Sequence, residues 1–200
     1  MYRHFGKRLF DLIFSFLGII ICLPMFIIIA ILIKLDSPGP VLFIQKRMGK
    51  NGVLFQLLKF RTMFFIPAGA NLMFTPGEKS RVTRIGKFLR LTKIDEFPQL
   101  INVFKGDMSF VGPRPEVPKY REFYKGVNAL VLTIRPGITD EASLKYRHEE
   151  ELLAKSKEPE KIYTEVILPD KLRINSDYLN NKIGLRQDFA IILQTLIKIK

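Results

Sequence analysis

From Leu12 to Ile33 the chain reads LIFSFLGIIICLPMFIIIAILI, 22 residues without a charge, bracketed by Asp11 and Lys34. A helix of that length is enough to cross a hydrocarbon core of about 30 Å. A secretory signal peptide is a poor fit. The run outlasts a usual apolar h-region, and it continues as KLDSPGP with no small-residue cleavage site. Pro24 stands close to the middle of the run, where it removes a backbone hydrogen bond and crowds the preceding turn. Arg3, Lys7 and Arg8 precede the run, and Lys34, Lys46, Arg47 and Lys50 follow it. Positive flanks prefer the cytoplasmic side, and here both ends carry them. A helix that breaks at Pro24 and returns to the same face satisfies both flanks. A single kinked span with its N-terminus outside is the competing topology.

Beyond this segment the period of the pattern changes. GPVLFIQKRMGKNGVLFQLLKFRTM predicts two short strands around the turn Lys50-Asn51-Gly52. Phe64 to Ser80, with Pro67, Gly69, Pro76 and Gly77, reads as a loop. Arg81 to Leu91 places Val82, Ile85, Phe88 and Leu89 at helical spacing, giving a helix with one apolar and one basic side. A second helix is expected from Asp95 to Lys105, ended by Gly106. Proline is tolerated in the first turn of a helix, so Pro98 makes Asp95 the natural N-cap and puts Glu96 in the first turn. MSFVGPRPEVP is an extended piece stiffened by Pro113, Pro115 and Pro118, and RPGIT (Arg135 to Thr139) reads as a turn. Val127 to Ile134 has the length of a core strand or core helix. Glu149 to Glu165 reads as a charged, solvated helix ahead of a loop at Leu168-Pro169-Asp170. In Arg186 to Lys200, Phe189, Ile192, Leu193, Leu196 and Ile197 form one stripe, suited to core packing or to a membrane interface. The expected fold is mainly α with a small β-hairpin (α+β). It divides into a membrane helix with its flanks over residues 1–36 and a compact cytoplasmic domain with amphipathic interfacial helices over 37–200.

Composition narrows the chemistry. The 200 residues carry 32 Lys and Arg against 19 Asp and Glu, a net +13, so the partner is anionic: nucleic acid, a phospholipid surface or a phosphorylated substrate. One cysteine, Cys22, and two histidines, His4 and His148, exclude a disulfide framework, a cysteine zinc site and a histidine-rich metal site. The nucleotide fingerprints GxxxxGK[ST] and GxGxxG are absent. Residues 41–105 hold twelve Lys or Arg against three acids, which makes this block the basic one. A footing on anionic lipid explains cations there, at about 1 kcal/mol per well-placed charge. It does not explain the three acids: Glu78, in TPGEKS, and the adjacent Asp95 and Glu96. A carboxylate at a helix N-terminus among cations stays ionised and can act as a nucleophile. The same amides and cations would hold a phosphate beside it, and a neighbouring carboxylate can share Mg²⁺. Arg90 and Arg114 would spread charge off a phosphoryl oxygen.

The order KRLFDLI, apolar run with central Pro24, KFRTM, RIGKFLRLTKIDEFPQLINVFKGDMSFVGPRP and RPGIT resembles the bacterial sugar transferases, monotopic phosphoglycosyl transferases that act on polyprenyl phosphate. The resemblance runs from about Met1 to Arg147 and is most specific from Arg84 to Pro115; with no four-helix segment ahead of the core, it is to the small form of the family. It implies a re-entrant membrane helix and a ping-pong reaction at the cytoplasmic face of the bacterial inner membrane. The aspartate of the Asp-Glu pair attacks a UDP-sugar, UMP leaves, and undecaprenyl (polyprenyl) phosphate takes the phosphosugar. By this resemblance Asp95 is the nucleophile, Glu96 with Asp95 the Mg²⁺ site, and Lys59, Arg90, Arg114 and Arg147 the phosphate and nucleotide contacts. Pro24 matches the helix-breaking proline. The chain departs from many relatives at Leu23, in the 64–80 loop and after RPGIT, where Asp140, Glu141 and Lys145 stand around the position of Arg147. The reading from another class is a membrane-tethered basic module without catalysis, which leaves Asp95, Glu96 and the proline-flanked Arg114 unexplained. Nucleic acid is disfavoured as partner because the basic block adjoins the bilayer segment and no binding fold is recognisable.

Overall fold

The computed structural model describes residues 2–65 and 81–197. Most of the expected 64–80 loop, including Glu78, lies outside the described residues.

After a π-helical turn at Tyr2–Gly6, helix α1 (Lys7–Asp36) runs for 30 residues and stays helical through Pro24. Its burial is periodic. Lys7, Asp11, Ser15, Ile29 and Ile33 are buried, and Gly18, Cys22 and Phe26 continue the same stripe half-buried. This is the i, i+4 face of one helix, and it lies on the rest of the chain from end to end. Near its start Asp11 Oδ1 accepts from Ser109 Oγ at 3.0 Å and from the Phe110 amide at 3.1 Å. Lys7 is ion-paired with Asp188. At mid-length the Phe16 and Phe104 rings are 6.0 Å apart. Toward its end Ile29 and Ile33 pack with Phe60 and Leu89, each apolar side chain contributing about 1.5–3 kcal/mol. The opposite face exposes Leu9, Ile13, Phe14, Leu17, Ile20, Ile27, Ile28 and Ile31.

The expected hairpin forms as β1 (Leu42–Met48) and β2 (Leu54–Phe60), antiparallel, with Leu42 opposite Phe60 and Met48 opposite Leu54. Asn51 takes a left-handed conformation in the turn (φ 56°). Helix α2 (Arg84–Thr92) follows. Thr83 Oγ1 caps it by accepting from the Gly86 amide at 3.0 Å, and Asp36 at the end of α1 accepts from the Ile85 amide, also at 3.0 Å.

The helix expected to start at Asp95 starts later. Asp95 sits in a 3₁₀ turn (Ile94–Glu96), and α3 spans Gln99–Lys105 with Pro98 at its N-cap position. Pro98 has no amide to give the Ile94 carbonyl, so that carbonyl takes a bond from the Phe97 amide instead and the turn tightens. Gly106 (φ 92°) ends α3 as expected.

RPGIT is not merely a turn. Its Gly137–Thr139 segment is a strand, β4, paired in parallel with β3 (Ser109–Val111). The two backbones approach so closely that a Cβ on Gly137 would stand 2.2 Å from the Gly112 amide nitrogen. Only glycine admits that contact.

The remainder is helical: α4 (Glu141–Lys145), α5 (Glu149–Ala154), α6 (Pro159–Ile162), α7 (Leu168–Asp177) and α8 (Leu185–Ile197). Two sequence expectations are corrected here. The charged stretch is not wholly solvated, because Tyr163 within it is buried with Met48, Tyr124 and Leu172, as is Ile167 just beyond it. Leu168-Pro169-Asp170 is no loop but the first turn of α7, where a proline costs nothing. On α8 the inward positions are Asp188 and Ile191, while Phe189, Leu193, Leu196 and Ile197 face out. Four of the five positions of the stripe read from the sequence thus face outward, like the outer face of α1, while Ile192 packs half-buried with Val111, Tyr178, Leu179 and Ile191.

Candidate active site

The 3₁₀ turn carrying Asp95 and Glu96 is set by its neighbours. Lys93, a non-glycine residue in the left-handed region (φ 58°), ends α2 and reverses the chain into the turn. Gly86 lets α2 lie directly on the end of the hairpin, where any Cβ would meet the Thr62 carbonyl oxygen at 2.0 Å. Asn102, almost fully buried in α3, ties that helix to β2: its Oδ1 accepts from the Leu58 amide at 3.0 Å, and its Nδ2 donates to the Gln56 carbonyl at 2.8 Å. Lys59, the next residue on β2, is thereby brought to Glu96.

The two carboxylates are treated differently. Glu96 Oε1 accepts from Lys59 Nζ at 2.8 Å and from Arg114 Nη2 at 2.6 Å, while Arg114 Nη1 reaches Oε2 at 3.4 Å. Burial pushes the Glu96 carboxyl up, but Arg114 and Lys59 outweigh it and hold the pKa well below the usual glutamate range. Asp95 is 8% exposed, and its Oδ1 is buried without a hydrogen-bond partner among the described residues. Burial raises its pKa above the ordinary aspartate value, against the pull of Lys59. The expected cap is absent, since Asp95 accepts from no helix amide among the described residues; Lys59, Lys93 and Arg90 still favour its ionisation, but burial outweighs them, and Lys59 is ion-paired with Glu96.

Arg114 is the best-anchored cation. Its own amide donates to Asp140 Oδ2 at 3.0 Å, and Asp140 Oδ1 accepts from the Ser143 amide, capping α4. The β3–β4 contact at Gly112 and Gly137 fixes the strand that leads into it. Behind it, Arg47 donates to the Pro115 carbonyl at 3.1 Å, and Glu116 accepts from the Tyr163 hydroxyl. Arg90 is held on α2 by Thr62, Nε to Oγ1 at 3.0 Å. Arg147 is exposed, and no hydrogen bond or ion pair ties it to this cluster. Pro24 lies within α1, exposed on its outer side. The structure thus joins Lys59, Glu96 and Arg114 through ion pairs, with Asp95 beside them on the same turn, Arg90 on the adjoining helix and Arg147 apart.

Three positioning residues escape a reading of the sequence by residue type: Thr62, Asn102 and Asp140. Asn102 leaves one signal, a polar residue in the apolar frame of QLINVFK. Asp140 leaves another, an acid three residues ahead of Ser143 at a helix start.

Among the described residues no group of three or more His, Cys, Asp or Glu side chains converges on a point. The described residues therefore offer a cation here at most two carboxylates. Asp95 Oδ1 is unpartnered, and Glu96 Oε2 has only the long contact to Arg114. One or two carboxylates, completed by phosphate oxygens and water, is a donor set that suits Mg²⁺.

Residues 2–200 match the family model described as bacterial sugar transferase. A Bacillus subtilis protein named for undecaprenyl-phosphate N-acetylgalactosaminyl 1-phosphate transfer is 46% identical over 119 residues, covering 60% of this chain and 66% of that one. A UDP-glucose:undecaprenyl-phosphate glucose-1-phosphate transferase of Caulobacter vibrioides is 41% identical over 142 residues, 70% of this chain and 53% of that one. The protein of the same name in Escherichia coli is 38% identical over 153 residues, 74% of this chain and 33% of that one. The chain thus matches between one third and two thirds of the length of these relatives.

Proposed function

The chain belongs to the bacterial sugar transferase family, and from that premise we propose that it transfers a sugar 1-phosphate from a UDP-sugar to undecaprenyl phosphate, starting a lipid-linked glycan. One observation carries the reading. Asp95 is a buried carboxylate left without a hydrogen bond beside a second carboxylate that already holds two cations. A group kept poorly solvated and unpartnered is a stronger nucleophile than one wrapped in hydrogen bonds.

In the first step an Asp95 oxygen attacks the β-phosphorus of the UDP-sugar. The bond from that phosphorus to the bridging oxygen breaks, and UMP leaves with the electron pair. A sugar-phosphoryl-aspartyl intermediate remains. In the second step an oxygen of undecaprenyl phosphate attacks the same phosphorus, the bond to Asp95 breaks, and the carboxylate is restored. Arg114, and Arg90 from α2, would take up charge on the phosphoryl oxygens, and the Glu96–Lys59 pair keeps Arg114 aimed. Asp95 and Glu96 would be the residues to hold Mg²⁺, whose charge would offset that of the diphosphate. Arg147 would meet the nucleotide or sugar only from outside the ion-paired cluster.

The membrane topology follows from α1. Lys7 and Asp11 at one end and Ile33 and Asp36 at the other are held by the same body of the protein, while the outer face is apolar. A perpendicular span would carry one of these ends, with its partners, through the bilayer. Both ends on the cytoplasmic side of the inner membrane, with the outer face of α1 embedded, is the arrangement these contacts support, and the cationic flanks agree; we propose Pro24 as the place where the embedded helix bends.

The test is UMP release by purified protein with Mg²⁺, undecaprenyl phosphate and a panel of UDP-sugars, together with intact-protein mass after donor alone. UMP release with one sugar and a phosphosugar adduct absent from Asp95→Asn is expected. Near-native UMP release by Asp95→Asn would overturn the nucleophile. No release with any sugar would favour the non-catalytic tether.

A further inference from the structure

Away from Asp95, a cavity of about 200 Å³ opens between the start of α1, the hairpin turn and the segment before β4, lined by Lys7, Arg8, Asp11, Lys50, Ser109 and Arg135 among others. Its charges do not balance. Lys7 is spent on Asp188, and Asp11 on Ser109 and the Phe110 amide. Arg8 donates to the Val103 and Phe104 carbonyls at 2.7 and 2.8 Å, and Arg135 Nε to the Gly106 carbonyl at 2.6 Å. These acceptors are the neutral carbonyls at the end of α3. They fix both guanidiniums in place without neutralising either. Lys50 makes no ion pair among the described residues. Three cations thus face one cavity against a single carboxylate that is already engaged, an arrangement that like-charge repulsion opposes unless an anion enters.

The surroundings select the anion. Arg8 is followed on α1 by the exposed Leu9 and Ile13, and Phe104, whose carbonyl holds Arg8, is itself exposed. The cavity therefore borders the apolar surface of α1, where charge meets exposed hydrocarbon as it does at a lipid headgroup. Forked guanidiniums recognise phosphate oxygens in pairs, with Lys50 as a point charge at the rim. No hydrogen bond or ion pair among the described residues links Arg8, Lys50 or Arg135 to the Lys59–Glu96–Arg114 cluster. We propose that this cavity is a second phosphate site, which holds the phosphate group of a membrane lipid by Arg8, Arg135 and Lys50, independently of the chemistry assigned to Asp95.

The experiment places the purified full chain in phosphatidylcholine nanodiscs doped with phosphatidylglycerol or with undecaprenyl phosphate. A third arm adds inorganic phosphate to the buffer. Retained lipid is counted by native mass spectrometry. In the phosphatidylglycerol arm the native chain is expected to retain one anionic lipid in preference to phosphatidylcholine, with retention falling about tenfold in Arg135→Gln and about fivefold in Lys50→Gln, and unchanged in Asp95→Asn. Equal retention of the two dopants supports a general headgroup site, and preference for undecaprenyl phosphate supports a dock for that lipid. Because Arg135→Gln also disturbs the end of α3, far-ultraviolet circular dichroism checks its fold. Lys50, exposed at the hairpin turn, carries the test without that risk. Retention that is equal in the native chain and both cation variants overturns the proposal. Capture of inorganic phosphate but of neither lipid, or loss of phosphatidylglycerol in Asp95→Asn, overturns it as well.

Discussion

Replacing Asp95 by asparagine removes the proposed reactive group and is expected to make the protein more stable. Burial raises the Asp95 pKa, with Glu96 pushing the same way and Lys59, Lys93 and Arg90 opposing. An acid whose folded pKa lies above its unfolded one is fully accommodated below the unfolded value, and loses stability as pH rises through the folded value. Once the pH exceeds that folded value, the folded protein carries an ionised carboxylate with a buried, unpartnered oxygen. Such a group costs about 1–3 kcal/mol, and the amide carries no charge. For a chain of this size each kcal/mol moves the melting temperature by about 2–4 °C, so Asp95→Asn should melt roughly 2–12 °C above the native protein. The assay is thermal unfolding in detergent by far-ultraviolet circular dichroism, with a chelator present. The gain should be largest at neutral pH and shrink as pH falls toward the ordinary aspartate pKa. A variant that melts at or below the native temperature at neutral pH, or a gap indifferent to pH, refutes the reasoning.

The neighbouring carboxylate should behave oppositely. Glu96→Gln leaves Lys59 and Arg114 without their anion and should destabilise by about 3 kcal/mol. The deficit should be largest above the ordinary glutamate pKa, because a depressed folded pKa gives stability that is lost only as pH falls through it. Adding Lys59→Met should recover part of that loss in urea titrations, and no recovery would dissolve the pair as the cause. Asp11→Ala leaves the Ser109 hydroxyl and the Phe110 amide without their acceptor and should cost about 2–4 kcal/mol; a change under about 0.5 kcal/mol by the same titration would count against that anchor. Pro24→Ala should straighten α1 and let an impermeant maleimide reach a Phe5→Cys label from outside intact cells. A label that stays unreactive in both forms would show that the contacts of Lys7 and Asp11, rather than the proline, hold the N-terminus.

The sequence by itself determined what was local. A run of 22 apolar residues can only be a helix in an apolar medium, since every backbone amide must then be satisfied within the segment. The hairpin followed from Lys50-Asn51-Gly52, the end of α3 from Gly106, and the Asp-Glu pair stood out because acids are scarce among so many cations. Tertiary structure decided the rest. Asp95 is no helix cap because the backbone there closes in i, i+3 bonds, Phe97 to Ile94 and Ile101 to Pro98, a pattern that composition does not reveal. RPGIT became a strand because its parallel partner lies 28 residues earlier in the chain, at Ser109–Val111, and such pairing leaves no local period. The stripe on α8 turned outward because the buried positions belong to Asp188 and Ile191, where Lys7 and Tyr178 meet Asp188. Residue type placed both carboxylates near phosphate chemistry. Which of them is neutralised and which is left bare was settled by Lys59 on a strand and Arg114 on a glycine-spaced strand end, converging on Glu96 from opposite sides in sequence.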